Sequence, residues 1–278
     1  MRQIGKAGPP GPGDRTDREV LKAMDDVYGV ALDAARVGAS AIMRLLDDGA
    51  VVVDSKGANV RDLVTNADHA SEAAVMELIR SQRPEDAFLA EEAGEISGVS
   101  GVRWVIDPLD GTTNFAHGHT YYAVSVAAES AGEVIAAVVY QPVNEVWLGW
   151  GPRGPEGSEC WGVTSCHDPA HALVSFAVPY DETRRRTAYR LLSRVAPRMH
   201  DLRNFGSTAC DLLAVASGAL DGFIGFAQLP WDIAAGLALV RAAGGVSRVL
   251  ADVDGVDVVV AGNEKIVDAA SAALLDRS

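Results

Sequence analysis

The chain has 278 residues, of which 48% are hydrophobic and 22% charged, so it can bury one large α/β core or two closely packed lobes. Its formal net charge of −14 argues against non-specific binding to nucleic acid or to an anionic membrane, because such binding needs lysines and arginines. No apolar stretch approaches the roughly 20 residues of a transmembrane helix, and no apolar run follows the basic residues at the N-terminus. Three cysteines do not suit a disulfide framework, so we expect a cytoplasmic protein with no membrane or nucleic-acid partner.

Residues 1–16 are rich in glycine and proline and are predicted to form a disordered tail. Residues 18–48 have apolar positions at helical spacing, which predicts one long amphipathic helix in which a break would fall at Gly29. A polar loop over 54–62 and a second helix over 70–82 come next. Short apolar runs bounded by turn residues then predict five strands, at 87–90, 102–106, 122–128, 134–140 and 146–150.

The glycine- and proline-rich segment 151–157 is either a boundary between lobes or a surface hairpin. As a boundary, it divides the chain after the tail into an N-terminal lobe of residues 17–150 and a C-terminal lobe of residues 151–278. The C-terminal lobe is predicted to contain helices at 182–195, 208–217, 232–243 and from residue 263, and strands at 172–178, 223–226, 246–250 and 256–261. Helices and strands that occur in blocks favour a layered α/β architecture over strict β-α-β alternation.

The densest motif runs from Trp104 to Phe115, where a predicted strand leads into the sequence Asp-Pro-Leu-Asp-Gly-Thr-Thr-Asn. Asp107 and Asp110 flank a turn that the intervening proline restricts, and two carboxylates on one tight turn repel unless a cation lies between them. Gly111 permits a close backbone approach, and free N–H groups at the two threonines that follow can bind an anion. Cation ligands beside an anion site indicate a phosphate that metal ions bridge.

Three other acidic positions have ordinary explanations when each is considered alone. Glu91 belongs to a Glu-Glu pair at the end of a short predicted strand, which is typical of a solvated surface. Asp232 begins a helix of small residues and Asp68 precedes another helix, and both positions suit helix caps.

Together, these segments resemble the inositol monophosphatase family of lithium-sensitive, magnesium-dependent phosphatases. The resemblance extends over about residues 20–276 and rests on four motifs in order: Asp62-Leu-Val-Thr65 with Asp68, Glu91-Glu92, Asp107 to Phe115, and Trp231-Asp232 with Ala242-Ala-Gly-Gly245. It implies an αβαβα sandwich of the kind also found in fructose-1,6-bisphosphatase, usually as a homodimer. The implied reaction is hydrolysis of a small phosphomonoester, of the inositol 1-phosphate type, with two or three Mg²⁺ ions.

The resemblance also implies roles for individual residues. The metal ligands would be Glu91, Asp107 and the carbonyl of Leu109 at a first ion, and Asp107, Asp110 and Asp232 at a second. Glu91 with Thr112 would orient and deprotonate the attacking water, and Asp68 would support Thr112. The substrate would contact Gly111, Thr112, Thr113, Gly206, Ser207, Thr208 and Asp232. Lys56 and Gly57 fall in a loop that closes over the site in relatives.

Two positions depart from the family pattern. Ala90 replaces the usual glycine before the Glu-Glu pair, which is a minor change. Inositol-specific relatives have a glutamate six residues before the Trp-Asp motif, where this chain has Gly225, so the leaving alcohol stays open. Histidinol phosphate, a nucleotide 3′-phosphate and fructose bisphosphate are alternative substrates. A non-catalytic ligand-binding or regulatory protein on the same fold is the alternative from another class.

Two further groups carry weaker signals. Cys160, Cys166, His167 and His171 are close in sequence, but the spacing of the cysteines and the adjacency of Cys166 and His167 disfavour a zinc site. The arginines at 184–186 begin a predicted helix and are expected on a solvated face, with contact to a dimer partner or an anionic substrate as the alternative.

Overall fold

The computed structural model describes residues 12–56 and 59–276, with side chains from Asp26 onward. The helices are α1 (Pro12–Asp47), α2 (Asn66–Gln82), α3 (Thr112–Ala116), α4 (Glu182–Val195), α5 (Thr208–Ala216), α6 (Pro230–Ala242) and α7 (Glu264–Leu275). The strands are β1 (Val53–Ser55), β2 (Leu63–Thr65), β3 (Ala87–Ala90), β4 (Gly94–Ile96), β5 (Val102–Asp110), β6 (Ala123–Ser130), β7 (Glu133–Gln141), β8 (Val146–Gly151), β9 (Gly154–Gly157), β10 (Leu173–Ala177), β11 (Asp201–Arg203), β12 (Gly222–Phe226), β13 (Val246–Val253) and β14 (Val256–Gly262).

The strands form two large sheets and one small ribbon of β1 and β2. The first sheet has the order β4-β3-β5-β6-β7-β8-β9, and its strands are antiparallel except for β3 and β5, which run parallel. The second sheet has the order β11-β10-β12-β14-β13, in which β10 runs parallel to β11 and β12. Because β3 and β5 run parallel and side by side, the residue that follows β3 is a neighbour of a residue near the end of β5.

The alternation of side chains along the strands divides the interior into three cores. Trp104 and Ile106 of β5 belong to the core under α1 and α2, whereas Val105 belongs to the core that α5 and α6 fill between the two sheets. The third core lies between the second sheet and the pair α4 and α7. Sheets covered on both faces explain the continuous apolar runs in the sequence. The order of layers is helix, sheet, helix, sheet, helix, which confirms the predicted αβαβα sandwich.

Helix α1 begins earlier than predicted. It begins at Pro12, so the predicted disordered tail is wrong for residues 12–16, while residues 1–11 lie outside the described part of the chain. Proline is tolerated in the first turn, where its missing N–H would have no partner inside the helix. The helix also passes through Gly29 without a break. None of the helices in the described ranges is long and apolar enough to cross a membrane.

The segment 151–157 forms the hairpin alternative. Strand β9 pairs with β8, so this segment belongs to the first sheet, and the chain leaves that sheet after Gly157. A division into lobes at residue 150 stays a prediction.

Candidate active site

The ends of β3 and β5 bring Glu91 and Asp107 together. Ala90 is aligned with Ile106 in the parallel pair, so Glu91, the first residue after β3, lies beside Asp107, the next residue of β5. The backbone N–H of Glu91 donates to the carbonyl of Ile106 over 3.2 Å, and burial raises the pKa of Asp107, an effect to which the charge of Glu91 adds. The predicted metal ligands from two separate motifs therefore occupy one corner of the first sheet.

An irregularity within the last residues of β5 directs the second aspartate to the same place. Asp107 Oδ1 accepts a hydrogen bond from the N–H of Leu109 over 3.0 Å, and the pairing of β5 with β6 shifts register between Asp107 and Asp110. Such irregularities change the direction of side chains. Gly111 follows with φ of 100°, and a Cβ there would lie only 3.0 Å from the Tyr121 carbonyl oxygen. The turn therefore requires glycine on both conformational and steric grounds.

The start of α5 holds Asp110. Its Oδ2 accepts from Ser207 Oγ over 2.5 Å and from the backbone N–H of Ala209 over 2.6 Å. Burial raises the pKa of Asp110 to about 6, although the Ser207 and backbone hydrogen bonds oppose the shift. The hydroxyl of Ser207, predicted to contact the substrate, is thus engaged with a predicted metal ligand.

Asp232 is at once a helix cap and a member of this group of acids. It lies in the first turn of α6, where its Oδ2 accepts from the N–H of Leu229 over 2.7 Å. Burial raises its pKa to about 8, and the charges of Asp110 and Glu91 add to the shift. The cap and the predicted metal ligand are therefore compatible assignments for the same carboxylate.

Glu91, Asp107, Asp110 and Asp232 form what we call the acidic cluster. Burial raises the pKa of every member, and at Asp107 repulsion by the other three adds to the effect. An all-oxygen donor set with surplus negative charge is what a hard divalent cation prefers, so the residues fit Mg²⁺. Among residues 12–56 and 59–276, no group of three or more Asp, Glu, His or Cys side chains is already arranged so that it could hold a metal ion.

Lys56 neutralises part of this charge. Its Nζ lies 2.6 Å from Glu91 Oε1 and 2.5 Å from Glu92 Oε1. Although burial alone would lower the pKa of Lys56, the two glutamates raise it above its ordinary value. The ammonium therefore stays charged and contacts one predicted metal ligand directly. Gly57, the other predicted residue of this loop, lies outside the described residues.

The side chains of Thr112 and Asp68 lie within hydrogen-bonding distance of each other. The Thr112 hydroxyl lies 2.9 Å from Asp68 Oδ1 and 3.0 Å from the carbonyl oxygen of Leu109. Asp68 is buried, and its other oxygen accepts from the N–H and hydroxyl of Thr65 in a capping box at the start of α2. One carboxylate thus caps α2 and fixes the position of the predicted catalytic threonine.

Two residues at the site had no role assigned from the sequence, although Asn114 belongs to the motif from Trp104 to Phe115. Asn114 Nδ2 donates to the carbonyls of Tyr121 and Phe205 over 2.8 and 2.7 Å, which ties α3 to the loop before α5. That loop contains Gly206, whose φ of 82° favours glycine. Tyr180 lies in the loop after β10, and its hydroxyl is 3.2 Å from Thr113 Oγ1. Only the tertiary contact makes these residues part of the site.

The weaker groups in the sequence lie elsewhere. Cys160 is exposed, Cys166 is half-buried and Cys210 is buried, and the described part of the chain holds no cluster of zinc ligands. Arg184 and Arg186 are exposed on α4, where Arg186 pairs with Glu182 one turn earlier. The expected solvated face holds for Arg184 and Arg186, whereas Arg185 is half-buried and donates to the carbonyl of Pro179.

Comparison with known proteins agrees with the geometry. The sequence matches the inositol monophosphatase family over residues 23–275. The chain belongs to this family. It is 36% identical over 265 residues to the Nus factor SuhB of Escherichia coli, which covers 91% of this chain and 97% of that protein.

Solved structures of family members superpose on the same fold. The extragenic suppressor protein SuhB from Bartonella henselae matches with a TM-score of 0.82 and 32% identity, over 91% of this chain and 100% of that one. The inositol monophosphatase from Anabaena matches with a TM-score of 0.77 and 28% identity, over 91% and 96%.

The departure from the family pattern at Gly225 has a structural counterpart. Gly225 lies inside β12, and a Cβ there would meet Gln228 Cγ at 2.6 Å and the buried ring of Phe223 at 2.8 Å. Its φ is not in the left-handed region, so packing rather than backbone conformation selects glycine. Gln228 folds back over it, accepts from Thr208 Oγ1 over 2.7 Å and donates to the carbonyl of Phe226 over 3.1 Å. The position of the missing acid is thus filled by an uncharged side chain.

Proposed function

We propose that this protein is a Mg²⁺-dependent phosphatase that hydrolyses a small phosphomonoester. The observation that carries the proposal is the acidic cluster beside the glycine turn at Gly111, because buried carboxylates that repel one another need cations and a phosphate brings further negative charge. Membership of the inositol monophosphatase family supports the same reaction.

In this proposal the metal ligands are Glu91, Asp107 and the Leu109 carbonyl at one ion and Asp107, Asp110 and Asp232 at another, with two or three ions in all. When bound, Mg²⁺ supplies the positive charge that lowers the pKa of water and stabilises the leaving oxygen. The ammonium of Lys56 would leave Glu91 as a cation enters, because both compete for the same carboxylate oxygen.

The remaining groups position the reactants. Thr112, held by Asp68, and Glu91 would orient the attacking water and accept its proton. The backbone of Gly111, Thr112 and Thr113 would bind the phosphate oxygens. The alcohol would leave on the side of Gly206, Ser207, Thr208 and Asp232, and there Ser207 acts chiefly by holding Asp110.

The test of this function is phosphate release from inositol 1-phosphate, histidinol phosphate, a nucleotide 3′-phosphate and fructose 1,6-bisphosphate, with Mg²⁺ and with excess chelator. We expect hydrolysis of at least one substrate that stops in chelator. Undiminished turnover in chelator would contradict the metal-dependent mechanism. The panel also identifies the alcohol, for which an inositol 1-phosphate type is the family's expectation and the other three are alternatives.

Lithium inhibition tests the second metal position. Asp107, Asp110 and Asp232 are all present, so Li⁺ at millimolar concentration is expected to inhibit turnover at limiting Mg²⁺. The Asp232→Asn variant should be less sensitive, because it loses one ligand of that position. Equal sensitivity in the wild type and the variant would remove Asp232 from the ligand set.

We also propose that the protein is a cytoplasmic homodimer, which light scattering on the purified chain and cell fractionation would test.

A second candidate function is that of a transcription factor without a need for catalysis. The observation in its favour is the 36% identity to proteins named Nus factor SuhB. Its test is transcription termination in vitro with the wild type and with Asp107→Asn. An effect on termination that the variant retains would support this function, and no effect of either protein would count against it.

A further inference from the structure

Three large apolar side chains stay exposed around the acidic cluster, and we call them the apolar rim. They are Tyr180, Phe205 and Leu229, with exposed fractions of 41%, 37% and 49%. They come from three separate loops, which precede α4, α5 and α6. Exposed apolar residues that gather at one place indicate a binding surface, whereas scattered ones need no explanation.

Direct contacts connect each member of the apolar rim to a residue of the site. The Tyr180 hydroxyl lies 3.2 Å from Thr113 Oγ1. Burial of this hydroxyl raises the pKa of Tyr180, and the negative charges of Asp110 and Glu91 raise it further. The Phe205 carbonyl accepts from Asn114, and its ring packs on that of Tyr121 with centroids 5.3 Å apart.

Leu229 is the third member of the apolar rim and contacts the acidic cluster directly. Its backbone N–H donates to Asp232 Oδ2, so the residue is adjacent to a proposed metal ligand while almost half of it stays exposed. Each of the three loops therefore contacts a residue of the proposed site while its large apolar side chain stays exposed.

The polar groups beside the apolar rim satisfy one another. Thr208 Oγ1 donates to Gln228 Oε1, and Gln228 Nε2 donates to the Phe226 carbonyl. Gly225 brings no carboxylate, and its Cβ position is closed by Gln228 Cγ. A polyol would meet Thr208 and Gln228 with their hydrogen bonds already made, whereas an apolar ring would need no such partners.

We propose that the apolar rim binds an apolar ring on the leaving alcohol, so that the preferred substrates are aryl-alkyl or cycloalkyl phosphomonoesters rather than polyol phosphates. This inference rests on the proposed phosphatase function and names its substrate class. In the reaction, the oxygen of water bonds to phosphorus, the P–O bond to the alcohol breaks, and a proton from water ends on the alcohol oxygen. The ring contributes binding only.

The experiment compares kcat/KM for 2-phenylethyl phosphate and glycerol 3-phosphate with Mg²⁺. Both are esters of primary alcohols, so the reacting bonds are alike. Burial of most of a phenyl ring predicts a preference of roughly tenfold or more for the phenylethyl ester. Leu229→Ser and Phe205→Ser should each lower that ratio several-fold, mainly through KM. Tyr180→Phe keeps the ring and should keep the ratio.

The matched control is Val249→Ser on β13, which removes an exposed apolar side chain (66% exposed) away from the site and should leave the ratio unchanged. Thermal unfolding of each variant shows whether it is folded. If Phe205→Ser does not fold, Leu229→Ser still tests the rim. A wild-type preference for glycerol 3-phosphate or inositol 1-phosphate would overturn this inference and leave the phosphatase intact. Absence of Mg²⁺-dependent hydrolysis of every ester would instead reject the proposed function. Rim variants that change the apparent mass and not the ratio would make the rim a contact between two copies, which would also overturn the inference.

Discussion

The two ends of the candidate site differ in how their polar groups are matched. At the phosphate end, Glu91, Asp107, Asp110 and Asp232 bring more buried negative charge than Lys56 can neutralise, and the pKa of each acid is raised. At the alcohol end, Thr208 and Gln228 pair with each other and with backbone, and the nearby exposed side chains are apolar.

This difference indicates how the site divides its work. Uncompensated acids are costly for folding but attract cations, so the phosphate end is built for chemistry that depends on charge. A surface with satisfied polar groups attracts neither charge nor hydroxyl groups, so under our proposal the alcohol end selects its ligand by shape and apolar area. Five substitutions, and one further control variant, test this contrast.

The largest effect is expected from Asp107→Asn at the phosphate end. Because Asp107 is proposed to contact both ions, kcat/KM should fall by about a thousandfold or more. Burial of the carboxylate and repulsion by the other three acids raise the pKa of Asp107, and both costs disappear in the variant, so the melting temperature in chelator should equal or exceed that of the wild type. Phosphate release and thermal unfolding measure the two outcomes. Retention of more than a tenth of the activity would show that Asp107 is not a shared ligand.

A pair of threonine variants compares the two ends directly. Thr112→Val removes the hydroxyl that Asp68 holds and should lower kcat by about a hundredfold. Thr208→Val removes a hydroxyl whose one described hydrogen bond is the one that it donates to Gln228. This variant should change kcat by less than about tenfold. Steady-state kinetics on one substrate measures both. Equal losses in kcat would mean that the ends do not differ as described.

The Gly225→Glu variant tests whether a carboxylate at the alcohol end changes stability and substrate preference. Its Cβ would crowd Gln228 and the buried ring of Phe223, so the free energy of unfolding should fall by about 1–3 kcal/mol. Gly225→Ala is the matched control, because it adds the Cβ without the carboxylate and should be destabilised to a similar degree. Urea unfolding measures both. Where Gly225→Glu is folded, we expect it to improve inositol 1-phosphate relative to glycerol 2-phosphate, and an unchanged ratio would argue against this position as the specificity determinant.

The smallest effect on activity is expected behind the site, at Asp211 on α5. Its Oδ1 accepts from the Tyr121 hydroxyl over 3.0 Å, while its buried Oδ2 has no hydrogen-bond partner among the described residues. Burial raises the pKa of Asp211 well above its ordinary value, and the charge of Asp110 adds to the shift. A raised pKa in the folded state means that stability is fully present below the unfolded pKa, near 4, and is lost as pH rises towards the folded pKa.

Asp211→Asn should therefore stabilise the protein, by an increment that grows by up to about 1.4 kcal/mol for each pH unit above 4 until the folded pKa is reached. Urea unfolding of the wild type and the variant at several pH values measures this increment. A constant difference at all pH values would show that the pKa of Asp211 is not raised. Activity should change far less than in Asp107→Asn, because Asp211 is not a proposed ligand.

Periodicity and turn residues were sufficient for most of the fold. The prediction of helix α4 at 182–195 agrees with the structure at both ends, and the strand over 87–90 agrees with β3. The short strands β1, β2, β4 and β11 were not predicted, because three residues are too few to show a period of two. The true start of α1 was missed because glycine and proline before residue 17 indicate a loop more strongly than a helix.

The sequence by itself determined the family, the layered fold and the residues of the acidic cluster, because each motif combines residue types at fixed local spacing. Only the tertiary structure decided which of these residues touch. Glu91 meets Asp107 because β3 and β5 are parallel, and Asp110 meets Ser207 because α5 begins at the same edge of the sheet. Tyr180, Asn114 and the fold of Gln228 over Gly225 were also decided there. Contacts between distant segments depend on how layers pack, and local periodicity holds no information about that packing.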